Sequence, residues 1–175
     1  RGEIDSLVKG KDYNVVGTMY ENMLFGNYWH GGAAVVNRAA NPNPFQRADT
    51  VITYYTTIPV PENRIWTLTT VSPQVLSCNG YYNATSTGGA DHMNLVLKGN
   101  NIILSDGSTT AGTFVQDGAC TFNRAKLLQN RKIFLKYTFT DANGFIYRCT
   151  DTLTFRNRIR DGINEWQDEN PSHYN

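Results

Sequence analysis

Residues 136–155, KYTFTDANGFIYRCTDTLTF, predict a β-hairpin whose two strands can pair well in one register only. Side chains on a strand alternate between its two faces, so the length of the loop decides which residues share a face. A two-residue loop at Asn143-Gly144 would mix apolar and polar side chains on both faces. A three-residue loop, Ala142-Asn-Gly144, with its glycine in the left-handed conformation of a bulge, separates them. The apolar face of this second register consists of three predicted pairs: Phe139 with Tyr147, Tyr137 with Cys149, and Ile133 with Leu153.

This register directs Cys149 toward the core, against Tyr137. A thiol among apolar neighbours has a raised pKa and little nucleophilic reactivity, so we expect a packing residue or half of a disulfide. The chain has three cysteines, which allow at most one internal disulfide. Cys78 and Cys120 each lie beside a turn signal, where two segments can meet without interrupting a ladder. They are the predicted disulfide pair.

Turn signals recur about every 8 to 12 residues along the chain, and no helical pattern separates the strand-like segments between them. Tyr147-Arg-Cys149 resembles the Tyr-x-Cys of strand F in immunoglobulin domains, although no Trp lies between Trp66 and Trp166 to match the buried Trp of that family. We therefore predict one all-β domain over residues 1–175, an antiparallel β-sandwich of immunoglobulin-like or jelly-roll-like type. The predicted strands are 14–20, 33–37, 50–58, 64–71, 74–78, 93–97, 102–104 and the two strands of the hairpin.

The two ends of the chain and one glycine-rich segment are interpreted separately. Residues 1–12 are interpreted as an N-terminal arm, and residues 156–175 as a C-terminal helix or tail. Ile159, Ile163 and Trp166 are spaced at i, i+4 and i+7, which favours a helix over residues 158–169. The glycine-rich residues 26–32 are interpreted as a flexible loop.

Motifs for catalysis and for metal binding are missing from the sequence. His30-Gly-Gly32 is like the start of an esterase oxyanion loop, but the G-x-S-x-G elbow that gives it meaning is absent. His92 follows Asp91 directly, and neighbours on a strand point to opposite faces, so they make a poor acid–base pair. The three histidines lack the spacing of a zinc site. We predict no enzyme activity, no cofactor and no metal.

Charge and hydropathy exclude two classes of partner. Basic and acidic side chains number 16 and 15, without a basic run of the kind that follows a phosphate backbone. No apolar run is long enough to span a membrane as a helix. We predict neither a nucleic-acid partner nor a membrane span in this segment.

Aromatic residues are in surplus, and the chain also contains 19 Asn and 19 Thr. An exposed ring with a polar tip offers contact area at low entropy cost, which suits sugars and protein partners. Four aromatic residues are therefore candidate glycan-binding residues: Tyr28, Trp29, Tyr81 and Tyr82. Asn83-Ala-Thr85 is an acceptor sequon, so Asn83 is a candidate glycosylation site in an oxidising compartment.

These observations favour a non-catalytic structural subunit of an extracellular or cell- or virion-surface assembly, such as a pilus, fibre, virion or appendage. It would contact other subunits or copies of itself through its ends or its edge strands. The alternative is a glycan-binding or adhesin module, and a second alternative is a hydrolase whose site the sequence does not reveal.

Overall fold

The computed structural model describes residues 20–37, 49–53, 65–82, 84–85, 92–107, 113–141, 144–160 and 163–165. These residues form an all-β structure, as predicted, with one short 3-10 helix at Leu128–Asn130. The strands are β1 (Gly26–Asn37), β2 (Asp49–Thr53), β3 (Ile65–Ser72), β4 (Val75–Cys78), β5 (Gly80–Tyr81), β6 (Ala84–Thr85), β7 (Met93–Lys98), β8 (Asn101–Asp106), β9 (Thr113–Gln116), β10 (Cys120–Phe122), β11 (Lys132–Thr140), β12 (Ile146–Arg160) and β13 (Ile163–Glu165). No helix in the described residues is long and apolar enough to cross a membrane.

The predicted sandwich is wrong in its architecture, because the main sheet closes on itself. Eight of the described strands pair in chain order, β1-β3-β4-β7-β8-β10-β11-β12, and β12 then pairs with β1. All of these pairings are antiparallel. The 15-residue β12 causes the closure, since it pairs with β11 along one edge and with β1 along the other. The result is a barrel of neighbouring strands rather than two stacked sheets.

The hairpin of β11 and β12 has the register predicted from the sequence. Phe139 pairs with Tyr147, Tyr137 with Cys149, and Ile133 with Leu153. The Gly144 N–H donates to the carbonyl of Asp141 at 3.0 Å, and Gly144 has a φ of 81°, the left-handed conformation that the three-residue loop requires.

Alternating residues of the strands fill the barrel. On β3, Trp66 and Leu68 are fully buried while Ile65, Thr67 and Thr69 face outward, as the alternation predicts. The same alternation buries one face of β7, β8 and β11. Burying a large side chain in this way stabilises the fold by about 1.5–3 kcal/mol per residue, so these positions carry most of the packing energy.

Residues 26–32 form the first half of β1, so their interpretation as a flexible loop is wrong. Gly32 has a φ of +142°, and a Cβ at this position would overlap the carbonyl oxygen of Thr150 on β12. The glycines therefore let two strands approach closely instead of loosening the chain.

The predicted C-terminal helix is also wrong where the structure describes it. Residues 158–160 at the end of β12 pair with β13, so this segment is a hairpin. In the sequence, the two residues between these segments are Asp161-Gly162, a pair favoured in two-residue hairpin turns, and this signal was obscured by the i, i+4, i+7 spacing. The N-terminal arm 1–12, the predicted strand 14–20 up to residue 19, residues 54–58 and Trp166 lie outside the described residues.

The structure contains no bridge between Cys78 and Cys120, contrary to the sequence prediction. Both cysteines and Cys149 are buried and none forms a disulfide. Cys78 lies on β4 and Cys120 on β10, and β7 and β8 separate these strands in the barrel wall. Burial raises the pKa of Cys78 to about 12 and also raises the pKa of Cys120, so both thiols stay protonated at neutral pH.

Candidate functional site

A pocket of about 240 Å³ opens on the outer face of the barrel, where β1, β12 and β11 lie side by side. In the register of these strands, Trp29 pairs with Thr154, and Thr154 pairs with Lys132 on its other side. Gly31 pairs with Thr152 in the next row that faces outward. Because Gly31 has no side chain, the wall is open between Trp29 and the two threonines. The lining residues are Trp29, His30, Gly31, Lys132, Thr152 and Thr154.

Arg156 covers part of the indole of Trp29. Its guanidinium carbon lies 5.0 Å from the ring centroid, close enough for a cation–π contact of about 0.5–1 kcal/mol. The ladder of β1 and β12 shifts at this point, since Asn27 pairs with Asn157 but Tyr28 pairs with Phe155. Arg156 is the extra residue of this bulge, and bulges often redirect a side chain beside a functional site.

A chain of amide and hydroxyl groups holds the guanidinium of Arg156. Thr67 Oγ1 donates to Asn27 Oδ1 at 2.8 Å, and Asn27 Nδ2 donates to Asn157 Oδ1 at 3.1 Å. Arg156 Nη1 donates to the same Asn157 oxygen at 3.3 Å. These contacts run across β3, β1 and β12, so the polar edge of the pocket is built on rigid strands before any ligand arrives.

A second polar group lies inside the barrel, directly behind this wall. His30 Nε2 is 3.4 Å from Asp151 Oδ1, and both side chains are fully buried. The hydroxyl of Tyr137 donates to Asp151 Oδ2 at 2.7 Å, and the N–H of Tyr82 donates to that hydroxyl at 2.8 Å. Burial raises the pKa of Asp151, and the contacts with His30 and Tyr137 partly oppose this effect.

The imidazole of His30 stacks on Trp66, with ring centroids 3.8 Å apart and an interplanar angle of 13°. Gly80 lies against the indole of Trp66, because a Cβ on Gly80 would overlap that ring. The buried group thus joins β1, β11 and β12 and reaches the β5 turn through Tyr82. We interpret it as a group that ties the strands together, since its polar side chains are buried inside the barrel and contact one another there.

The buried group was not predicted from the sequence, although the predicted hairpin register implies that Asp151 points inward. The hairpin register that points Tyr137 and Cys149 inward also points Asp151 inward, two residues further along β12. Its contact with His30 depends on the pairing of β1 with β12, which joins residues far apart in the chain. His30 and Asp151 are 121 positions apart in the sequence, so no local pattern relates them.

The four candidate glycan-binding residues do not form one site. Tyr28 has an exposed fraction of 0% and its hydroxyl donates to the carbonyl of Leu24 at 2.8 Å inside the barrel. Tyr81 packs against Phe114 and Phe139, with centroids 6.0 and 5.1 Å away. Tyr82 lies 4.4 Å from the ring of Tyr147. Trp29 alone among the four lines the outer pocket, while Tyr81 and Tyr82 belong to an aromatic layer around the hairpin of β11 and β12.

Two further predictions concern glycosylation and metal binding. Asn83, the candidate glycosylation site, lies outside the described residues. Within the described ranges, no group of three or more His, Cys, Asp or Glu side chains is arranged to hold a metal ion.

No protein-family profile, curated protein or solved structure matches this chain.

Proposed function

We propose that this chain is a non-catalytic binding module that takes a saccharide in the Trp29 pocket. The observation that carries this proposal is the wall of the pocket, where a half-buried indole stands beside two threonine hydroxyls and a lysine. A sugar ring has apolar faces and a rim of hydroxyl groups, so it needs this combination of an aromatic surface with hydrogen-bonding groups.

The indole N–H of Trp29 supports the proposal independently. Trp29 Nε1 is a buried atom for which the described part of the chain supplies no hydrogen-bond acceptor. A buried donor without an acceptor costs about 1–3 kcal/mol, so a ligand oxygen that accepts this hydrogen bond would recover that energy on binding.

The size of the pocket indicates the size of the ligand. Pockets for drug-sized ligands measure about 300–1,000 Å³, and this one is slightly smaller, at about 240 Å³. We expect it to hold a single sugar ring of a longer glycan, with the neighbouring rings outside.

The test is binding to a glycan array and then titration of the best oligosaccharide into three variants. We expect Trp29→Ala to abolish binding, and Thr154→Val, which removes one hydroxyl with little change in shape, to weaken it about tenfold. Thr69→Val is the matched control, since Thr69 is exposed on β3, away from the pocket. Equal affinity of all three variants and the original protein would refute the site, and an array without any bound glycan would refute the function.

The structural-subunit role predicted from the sequence is our second candidate. Its support is the hairpin of β12 and β13, which continues beyond the last pair of β12 with β1. Among the described strands β13 pairs with β12 alone, and Ile159 on this hairpin has an exposed fraction of 60%. An edge strand beside an exposed apolar side chain is a common contact between subunits. An extracellular or surface location is part of both proposals.

We test the subunit role by sedimentation at increasing protein concentration. If the hairpin is the contact, Ile159→Lys should lower the association constant by a factor of ten or more, because it places a charge in an apolar interface. Val71→Lys is the control, since Val71 on β3 has a nearly equal exposed fraction of 62%. A chain that stays monomeric at high concentration, or associates equally well with either lysine, would contradict this role.

A further inference from the structure

Charge is distributed unevenly over the outer face of β11, β12 and β1. We name this surface the basic face and define it by the outward residues of these three strands between Asn27 and Val35, Lys132 and Thr140, and Ile146 and Arg156. It carries four cations: Lys132, Lys136, Arg148 and Arg156. The carboxyl group of Asp151 is the one acidic side chain in the three strands, and it points into the barrel. The near-neutral composition of the chain therefore conceals a face on which the charged side chains of the three strands are all basic.

Within the described ranges, no carboxylate is within ion-pair distance of these four lysine and arginine side chains, and the contact of His30 with Asp151 lies inside the barrel. The carboxylate of Asp117 borders the face, where it accepts a hydrogen bond of 3.1 Å from Thr138. A surface with unpaired charges of one sign attracts ligands of the opposite sign and raises their local concentration.

Two of these cations converge on the Trp29 pocket. Lys132 pairs directly with Thr154, and Arg156 follows Thr154 by two residues on the same strand. Strand geometry therefore places the Cα atoms of both residues within about 7 Å of the Cα of Thr154. Arg156 has five N–H donors, of which the structure assigns one nitrogen to Asn157, and its bulge holds it at the edge of the pocket.

We infer that the ligand of this pocket is an acidic saccharide, whose carboxylate binds between Lys132 and Arg156 while its ring lies over Thr152 and Thr154 beside Trp29. This inference rests on the proposed function and adds the ligand's charge to it. A guanidinium and an ammonium group supply charge-assisted hydrogen bonds, which are about twice as strong as neutral ones. A neutral sugar would bring no negative charge to balance these two cations.

A nucleic acid is the other polyanion to consider, and the geometry favours the saccharide. Proteins that bind DNA through its backbone make about 6–10 phosphate contacts, whereas the basic face has four cations on two strands, β11 and β12.

The experiment uses the full chain and pairs of ligands that differ only in charge. Trigalacturonic acid and sialyllactose are each compared with their methyl esters by titration calorimetry, and a 20-nucleotide oligo-dT is titrated in parallel. We expect the acids to bind at least tenfold more tightly than their esters, with affinity that falls as salt is added. Lys132→Gln/Arg156→Gln should remove this preference, whereas the control Lys98→Gln, on the turn of β7 and β8, should preserve it.

The outcomes distinguish a failure of this inference alone from a failure of the proposed function. If the esters bind as tightly as the acids, or if neutral glycans of the array bind and both acids do not, the inference falls. In either case, loss of saccharide binding in Trp29→Ala would still support the saccharide site. If oligo-dT binds more tightly than every saccharide, the basic face serves a nucleic acid and both proposals fall. Both proposals also fall if none of the array glycans, the two acids and their esters binds.

Discussion

Replacing Asp151 with alanine is expected to lower the free energy of unfolding by about 2–5 kcal/mol. The carboxylate accepts a hydrogen bond of 2.7 Å from Tyr137 and lies 3.4 Å from His30, and all three side chains are fully buried. Alanine would remove the partner of two polar groups that water cannot reach, so their desolvation would no longer be compensated. The measurement is urea denaturation followed by circular dichroism, analysed with a slope shared by all variants.

Two other substitutions separate the contributions to this loss. Tyr137→Phe removes the hydroxyl alone and should cost about 1–3 kcal/mol, less than the loss of the carboxylate. Asp117→Ala is the matched control, because Asp117 is an exposed carboxylate that accepts a bond of 3.1 Å from Thr138. It should change stability by about 0.5 kcal/mol or less. If Asp151→Ala were no more harmful than Asp117→Ala, the buried group would not be what ties β1, β11 and β12 together.

The local parts of this fold could be predicted from the sequence. The hairpin of β11 and β12 was predicted pair by pair, because only one loop length separates apolar from polar side chains. The predicted strands 64–71, 93–97 and 102–104 also coincide closely with β3, β7 and β8. In these elements each residue interacts with partners a few positions away, so their pattern is visible in a short window.

Closure of the barrel could not be predicted in this way. It depends on the pairing of β1 with β12, in which residues such as Ala34 and Cys149 are more than a hundred positions apart. Sandwiches and barrels share the same short strands and turn spacing, so only these long-range pairs distinguish them. The prediction of a C-terminal helix was wrong for a different reason. Three apolar residues have a helical spacing by coincidence, and an Asp-Gly turn signal lies within the same stretch of sequence.

Of the residues that form the candidate site, Trp29 was predicted from the sequence. Trp29 was selected because aromatic side chains are in surplus, but its neighbours Lys132, Thr154 and Arg156 come from strands that the sequence could not place beside β1. Tyr28 was selected for the same reason, and strand alternation buries it because its neighbour Trp29 faces outward. The basic face was equally hidden, since its successive cations are about four to twelve residues apart in the sequence and gather on one surface only when β11 and β12 pair.

Replacing Gly32 with alanine is expected to destabilise the protein by about 3 kcal/mol or more. Two costs combine, because a φ of +142° is strained for any residue with a Cβ, and the new methyl group would overlap the Thr150 carbonyl and crowd the Cα of Asp151. Both contacts are with the backbone of β12, which cannot turn away as a side chain could. Relief would require β1 and β12 to separate at the closure of the barrel.

Gly99→Ala provides the matched control for Gly32→Ala. Gly99 also has a positive φ, +66°, but a Cβ there would meet no atom within 4 Å. Its substitution should therefore cost only the conformational strain, about 1–2 kcal/mol. The difference between the two variants in urea denaturation reports the close approach of β1 and β12 together with the greater strain of a φ of +142° than of +66°. Equal losses would mean that the strands can separate at little cost, and the adjacent Trp29 pocket would then lack the rigid wall on which its proposed function depends.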